Sequence, residues 1–214
     1  TIASLNKNED GEICYINNKN EEVDLKKHSP TKIRNLGISL SFVPEDRLGM
    51  GLVGDFNLVD NVMLRSYRNN SNKHFLTTDK KNPTNLTKNI VEELEVVTPN
   101  IKTEIRKLSG GNVQKVLVGR EIASQPKVLM AAYPVRGLDI NSSYLIYNLL
   151  NEQKNNDAAV IYVGEDLDVI LALCDKIAVL CAGKITGIVD ARTTTKEEIG
   201  LLMTKNTENE ENGN

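Results

Sequence analysis

Apolar and polar positions fall into short alternating blocks, and those blocks predict the elements. Glu12 to Ile16 is a brief β-prone run, Asn17 to Asn20 has turn chemistry and Glu21 to Leu25 resumes, so the spacing predicts a hairpin across 11–23. Ser29 and Pro30 predict a helix start, with Ser29 as cap, Pro30 in the first helical position, Ile33 and Leu36 on one face, and Gly37 at the end. Ile38 to Val43 reads as a strand that stops at Pro44. Between Leu64 and Asn89 the chain turns polar and Asn-rich around Arg68 to His74, after which Ile90, Val91, Leu94 and Val97 fall at helical spacing. This predicts a solvent-exposed, mainly helical insertion. From Lys107 onward, apolar runs at Val128–Ala132, Ala158–Val163, Ile177–Leu180 and Ile185–Val189 alternate with helical patterns starting near Asn112, Ser142 and Asp166. That order predicts an α/β fold with a mostly parallel sheet covered on both faces. The polar, acidic segment 206–214 cannot bury surface and is expected to be a disordered tail.

Composition narrows the picture. A chain of 214 residues, 40% hydrophobic and 26% charged, suffices for one domain or one and a half with a buried core, which excludes disorder as a whole-chain answer. Twenty-six Lys and Arg against 29 Asp and Glu give a net charge of -3, which supplies no electrostatic attraction for nucleic acid. With no Trp and three Phe, aromatic base-stacking platforms are not expected. The three cysteines, Cys14, Cys174 and Cys181, are widely spaced and form no C-x-x-C pair, so neither a disulfide framework nor a zinc site is suggested. No apolar stretch approaches the roughly 20 residues of a membrane-spanning helix. The chain opens on Thr1 without signal-peptide character and is expected to be a piece of something longer.

The candidate chemistry begins at Leu108 to Lys115 (LSGGNVQK), which opens a helix whose inward face would carry Val113, Val116 and Leu117. Gly110 and Gly111 allow close backbone approach, the helix start offers N–H groups and a positive dipole end to an anion, and Ser109 adds a hydroxyl. Taken alone, the run would also suit a plain glycine-rich cap. About twenty residues on, Lys127 to Ala132 is a buried strand leading into Pro134 and the Gly137-Leu138-Asp139 loop; Val160 to Asp168 is a strand ending in acids; Cys174 to Ile185 closes with a hairpin.

In this order the pieces resemble the ATP-binding cassette (ABC) ATPases, with Leu108 to Gln114 similar to their signature motif and Gly137 to Asp139 similar to their D-loop. Val43 to Val53 (VPEDRLGMGLV), Asn112 after the double glycine, and Pro134 to Asp139 resemble the second, C-terminal cassette of the duplicated subunits that drive import of simple sugars and nucleosides. Ala131 to Pro134 leans towards the nucleoside type. The resemblance implies a P-loop-type α/β domain over 1–205, with a small antiparallel part and a helical subdomain at about 64–107. It also implies ATP and Mg²⁺ as cofactors, a head-to-tail partner cassette, a transmembrane permease, an extracellular solute-binding lipoprotein acting indirectly, and a place on the cytoplasmic face of the membrane.

Three departures from the family pattern matter. The chain has no G-x-x-x-x-G-K-[ST] phosphate loop, and because Thr1 to Leu5 resemble residues shortly after that loop, the chain is expected to start just past it. The strand end carries Ala132 and Tyr133 where an active cassette places a metal-binding Asp and a catalytic Glu. Glu165 stands at the switch-His position, where a carboxylate would repel a γ-phosphate. Glu45, at the Q-loop glutamine position, is either an oxygen ligand and relay or the start of the charged turn Glu45 to Arg47, and Arg136 beside the D-loop is a candidate to pair with a partner carboxylate. His28 and His74 are assigned surface or packing roles. Together these imply a cassette whose own site is degenerate and which is inactive alone. It would lend Ser109, Gly110, Gly111, Asn112 and Gln114, with Asp139 nearby, to the ATP of its partner. The competing expectations are a non-catalytic docking scaffold and a non-transport cassette of the DNA-repair or translation type.

Overall fold

A computed structural model describes residues 10–16, 20–36, 38–66 and 80–204. Thr1 to Leu5, most of the predicted Asn17 to Asn20 turn, Gly37, the Asn-rich stretch with His74, and the 206–214 tail lie outside the described residues. The chain divides into two compact units, Thr1–Ile161 and Tyr162–Asn214.

In the first unit, β1 (Cys14–Ile16) and β2 (Glu22–Asp24) pair antiparallel as the hairpin pattern predicts. Helix α1 (Pro30–Asn35) begins where expected, with Ser29 Oγ accepting from Lys32 N at 3.3 Å. The chain then runs through β3 (Leu40–Val43), a π-helical turn at Arg47–Gly51, α2 (Leu58–Ser66), α3 (Lys81–Glu93), α4 (Gly110–Ile122), β4 (Val128–Ala132), α5 (Ile140–Asn155) and the start of β5 (Ala159–Val163), whose last two residues fall in the second unit. β3 and β4 are parallel, in register from Leu40 opposite Val128 to Val43 opposite Ala131. The sheet order is β3-β4-β5, and β5 enters it with Ala159 N donating to Lys127 O at 2.9 Å.

Helix α4 is the spine of this unit, packing against β3, α2, α3 and α5. Its Val113, Val116 and Leu117 are buried, as their spacing predicts, along with Val43, Leu129 and Ala131 of the sheet. Gly119 lets α3 come close: a Cβ there would lie 2.7 Å from Ile90 Cγ2 and 2.9 Å from Leu94 Cδ1.

Two differences from the sequence reading concern the helical insertion. The helix around Ile90 starts at Lys81 and ends at Glu93, because Glu95 takes a left-handed φ of 50° that a continuing helix cannot accommodate. Val97 is therefore not on its apolar face and is 77% exposed. Helix α2 went unforeseen although a capping signal precedes it: Asn57 Oδ1 accepts from Asp60 N at 2.9 Å, and Asp60 Oδ2 accepts from Asn57 Nδ2 at 2.7 Å.

The second unit holds α6 (Leu167–Leu173), β6 (Lys176–Cys181), β7 (Lys184–Asp190) and α7 (Lys196–Thr204). β6 and β7 form the predicted antiparallel hairpin, shifting register between Val179 and Leu180. Ile177, Val179, Ala191 and Ile199 make a core of its own, against which Leu167, Ile170, Leu171 and Leu202 pack. Helix α7 was not anticipated; its start is marked by Thr195 Oγ1, which accepts from Glu198 N at 3.2 Å. Among the described residues, no helix is long and apolar enough to cross a membrane.

Candidate functional site

The buried stripe of α4 pins the helix body, so its N-terminal tip stays on the surface with Ser109 and Gly110 exposed. Ser109 occupies the cap position in an extended conformation, yet its side chain makes no capping hydrogen bond. Its oxygen instead accepts from Asn112 Nδ2 at 2.8 Å, while Asn112 Oδ1 accepts from Val97 N at 2.8 Å. Asn112 thus ties the tip to the strap that leaves α3. The arrangement leaves the Ser109 hydroxyl proton available outward and the first-turn N–H groups without a carboxylate or hydroxyl from their own cap.

Asp139 caps α5 beside this tip. It accepts from Ser142 N at 2.9 Å and Ser142 Oγ at 2.7 Å, and these two bonds hold its carboxyl below the usual Asp value. A Cβ on Gly111 would stand 3.4 Å from Ser142 Oγ and 3.8 Å from Asp139 Oδ2, so two helix N-termini meet there. The approach of the two positive ends is balanced by the Asp139 charge.

The turn after β3 reaches the same place from the other side. Arg47 donates through Nη2 to Arg136 O and through Nη1, at a long 3.5 Å, to Gly110 O. Burial pushes the Arg47 guanidinium below its ordinary value. Arg136 in turn pairs with Glu45 and lies over the Tyr133 ring, 5.9 Å from its centroid. The Glu45 carboxylate is thus held by Arg136, an arginine of its own chain. At the end of β4, Tyr133 takes a left-handed φ of 48°, and Ala132 and Tyr133 offer no carboxylate.

Ser109, Gly110, Gly111, Asn112 and Asp139 are therefore brought together, with Glu45 linked to them through Arg136 and Arg47. Gln114 is not at the tip: it is 1% exposed, and neither atom of its amide has a partner. Glu165 is exposed in the turn between β5 and α6, in the second unit. His28 is half-buried with an unpartnered Nδ1.

Sequence reading missed the charged cluster behind the tip. Glu121, 2% exposed, accepts from Arg65 Nη2 and Arg120 Nη2, each at 2.9 Å, and from Phe42 N at 3.3 Å. Arg120 also donates to Gly51 O at 2.7 Å, and its burial lowers its pKa against the opposing pull of Glu121. Adjacent Arg and Glu in a helix ordinarily face solvent, so nothing local in the sequence signalled that this pair is enclosed.

The fold and the tip can be set against known structures. A dimeric post-hydrolysis state of the ATP-binding cassette MJ0796 bound to ADP and Pi superposes with a TM-score of 0.69 at 20% identity, covering 89% of this chain and 77% of that one. The fold is that of an ATP-binding cassette. A second dimeric MJ0796 structure gives 0.70 at 21% identity with the same coverage. In sequence, the chain is 35% identical to the guanosine import ATP-binding protein NupO of Bacillus subtilis (strain 168), over 98% of this chain and 40% of the relative. It is 34% identical to the xylose import ATP-binding protein XylG of Moorella thermoacetica, over 81% of this chain and 34% of the relative. Its homologues are thus ATP-binding proteins of nucleoside and sugar import, and the chain spans about two fifths of the length of NupO. No family model matches the chain.

Proposed function

We propose that this cassette works in an ATP-driven importer of nucleosides or simple sugars, pairing head to tail with a second cassette and completing an ATP site held mainly by that partner. Support comes from import ATP-binding proteins as homologues and from dimeric cassettes as structural neighbours. The observation that carries the reading is the state of the α4 tip: Ser109 accepts from Asn112 instead of capping its own helix, so its hydroxyl and the amides behind it are left for an anion from outside. Gly110 and Gly111 keep the approach clear.

The cassette's own site is degenerate in this reading. Ala132 and Tyr133 cannot hold Mg²⁺ or activate water, the Glu45 carboxylate is engaged by Arg136, and Glu165 offers a γ-phosphate only repulsion. Permease contact falls to the helical insertion and to the apolar residues exposed at its base, Leu48, Met50, Val53 and Phe56. In this reading the subunit works at the cytoplasmic face of the membrane, as the family resemblance implies.

In the intact transporter, Ser109→Ala or Gly110→Asp should depress ATP hydrolysis at the partner's site by roughly 10²–10³, the usual consequence of removing one preorganised oxyanion donor. Tyr133→Phe should leave it nearly unchanged. Equal losses from the tip variants and Tyr133→Phe would refute the division of labour.

A further inference from the structure

The π-helical turn at Arg47–Gly51 lies along α4 and is fastened to it at both ends. At one end Arg47 Nη1 reaches Gly110 O in the first turn of α4; at the other, Gly51 O accepts from Arg120 in its third turn. Between them the Gly51 backbone rests on Leu117: a Cβ there would come within 2.9 Å of Leu117 Cδ2. The turn itself is closed by Leu52 N donating to Arg47 O at 2.7 Å and by Asp46 Oδ1 accepting from Gly49 N at 2.8 Å. Single π-helical turns recur at functional sites, and this one points a half-buried guanidinium at one carbonyl of the tip.

That carbonyl shares its peptide group with the Gly111 N–H. A cation on the oxygen side of a peptide draws electron density from the nitrogen side, so the N–H becomes a stronger donor, just as hydrogen bonds in a chain polarise one another. We infer that Arg47 is a positioning residue for the signature tip, acting through the Gly110–Gly111 peptide to fix and sharpen the Gly111 N–H that meets an incoming phosphate. Arg47 touches no nucleotide in this scheme. Its second anchor, the Arg136 carbonyl next to the D-loop, holds the guanidinium in place. This inference rests on the trans-donation reading above.

If removing such a donor costs about 10²–10³ in rate, weakening it by about 10–30% should lower kcat roughly two- to eightfold. The test has two arms. In the 214-residue chain labelled with ¹³C and ¹⁵N, Arg47→Gln should move the Gly110 carbonyl and Gly111 amide resonances upfield. Arg136→Ala, which keeps the carbonyl that Arg47 uses, should leave them in place. Arg47→Lys, retaining stem and charge, should fall between and guards against misfolding of the glutamine variant. In the intact transporter, Arg47→Gln should reduce kcat by that factor with KM for ATP little changed, and Arg47→Lys should recover part of it. Unmoved Gly110 and Gly111 resonances, or full activity in Arg47→Gln while Ser109→Ala is crippled, would overturn the inference and leave the trans-donation reading standing. Full activity in both Arg47→Gln and Ser109→Ala would overturn the trans-donation reading itself.

Discussion

Glu121→Ala is the substitution whose outcome is most tightly constrained by the geometry. Glu121 is enclosed between α4, α2 and β3, and its carboxylate is the acceptor for Arg65, Arg120 and the Phe42 amide. Arg65 is one-third exposed and keeps Leu40 O and Ser41 Oγ, both at 3.0 Å, so its loss is partial. Arg120 is only 7% exposed and would retain Gly51 O alone, a neutral acceptor for a buried cation. Stranding one member of a buried pair costs about 3–5 kcal/mol, far more than the pair contributes over an apolar replacement. With a urea m-value of about 2 kcal/mol/M, that cost corresponds to a midpoint lowered by about 1.5–2.5 M. Urea titration followed by circular dichroism, with amide exchange in α4 to follow the first unit separately, measures it. Because the damage lies in the orphaned charge, Glu121→Ala combined with Arg120→Met should be more stable than Glu121→Ala alone. A midpoint shift below about 0.5 M, or a double variant as costly as the sum of its singles, would show that Arg120 finds water or another acceptor and would refute the reasoning.

Other predictions follow from single contacts. Gly119→Ala should destabilise although alanine gains about 1 kcal/mol in a helix, because the stiff Ile90 side chain cannot move from 2.7 Å and overpacking costs about 1–3 kcal/mol; a raised melting temperature would contradict this. Asn61, fully buried, accepts from Val53 N and donates to the carbonyls of Val53, Phe56 and Asn57. Asn61→Ala should cost about 2 kcal/mol, and Asn61→Asp more, since a carboxylate would face three carbonyls; the reverse order in thermal melts would refute the assignment. In the second unit, hydrogen bonds from Arg192 hold the Asp190 carboxyl at about 2 against an ordinary 3.8. A lowered folded-state value means this stabilisation is complete above pH 3.8 and is lost as pH falls through 2. Acid melts should therefore show unfolding beginning at higher pH in Arg192→Ala than in wild type.

What could be read from the sequence was local. β4 matches its apolar run at both ends, the Ser29-Pro30 start of α1 stands, and the α4 face of Val113, Val116 and Leu117 is buried, because side-chain period and cap chemistry act within a turn or two of the chain. The glycines and serine at the start of α4 were also visible, although such a run suits a plain glycine-rich cap as well as an anion site. The misses near Val97 and at α2 and α7 lie where a backbone reversal or a cap outweighs hydrophobic spacing.

The tertiary structure decided the rest. Arg47 meets Gly110 across 63 residues, Arg136 meets Glu45 across 91, and Arg120 meets Gly51 across 69. Each looks like an ordinary surface charge in sequence, because a guanidinium carries no periodic signature that says which carbonyl will stand opposite it. Packing of the turn against α4 withdraws Arg120 from water and makes its contacts fixed, whereas Arg136 and Glu45 stay exposed and meet only because the turn after β3 lies beside the segment after β4. The sequence specified a glycine-rich helix start; the fold determined which residues brace that end and which of the chain's own carboxylates are already paired.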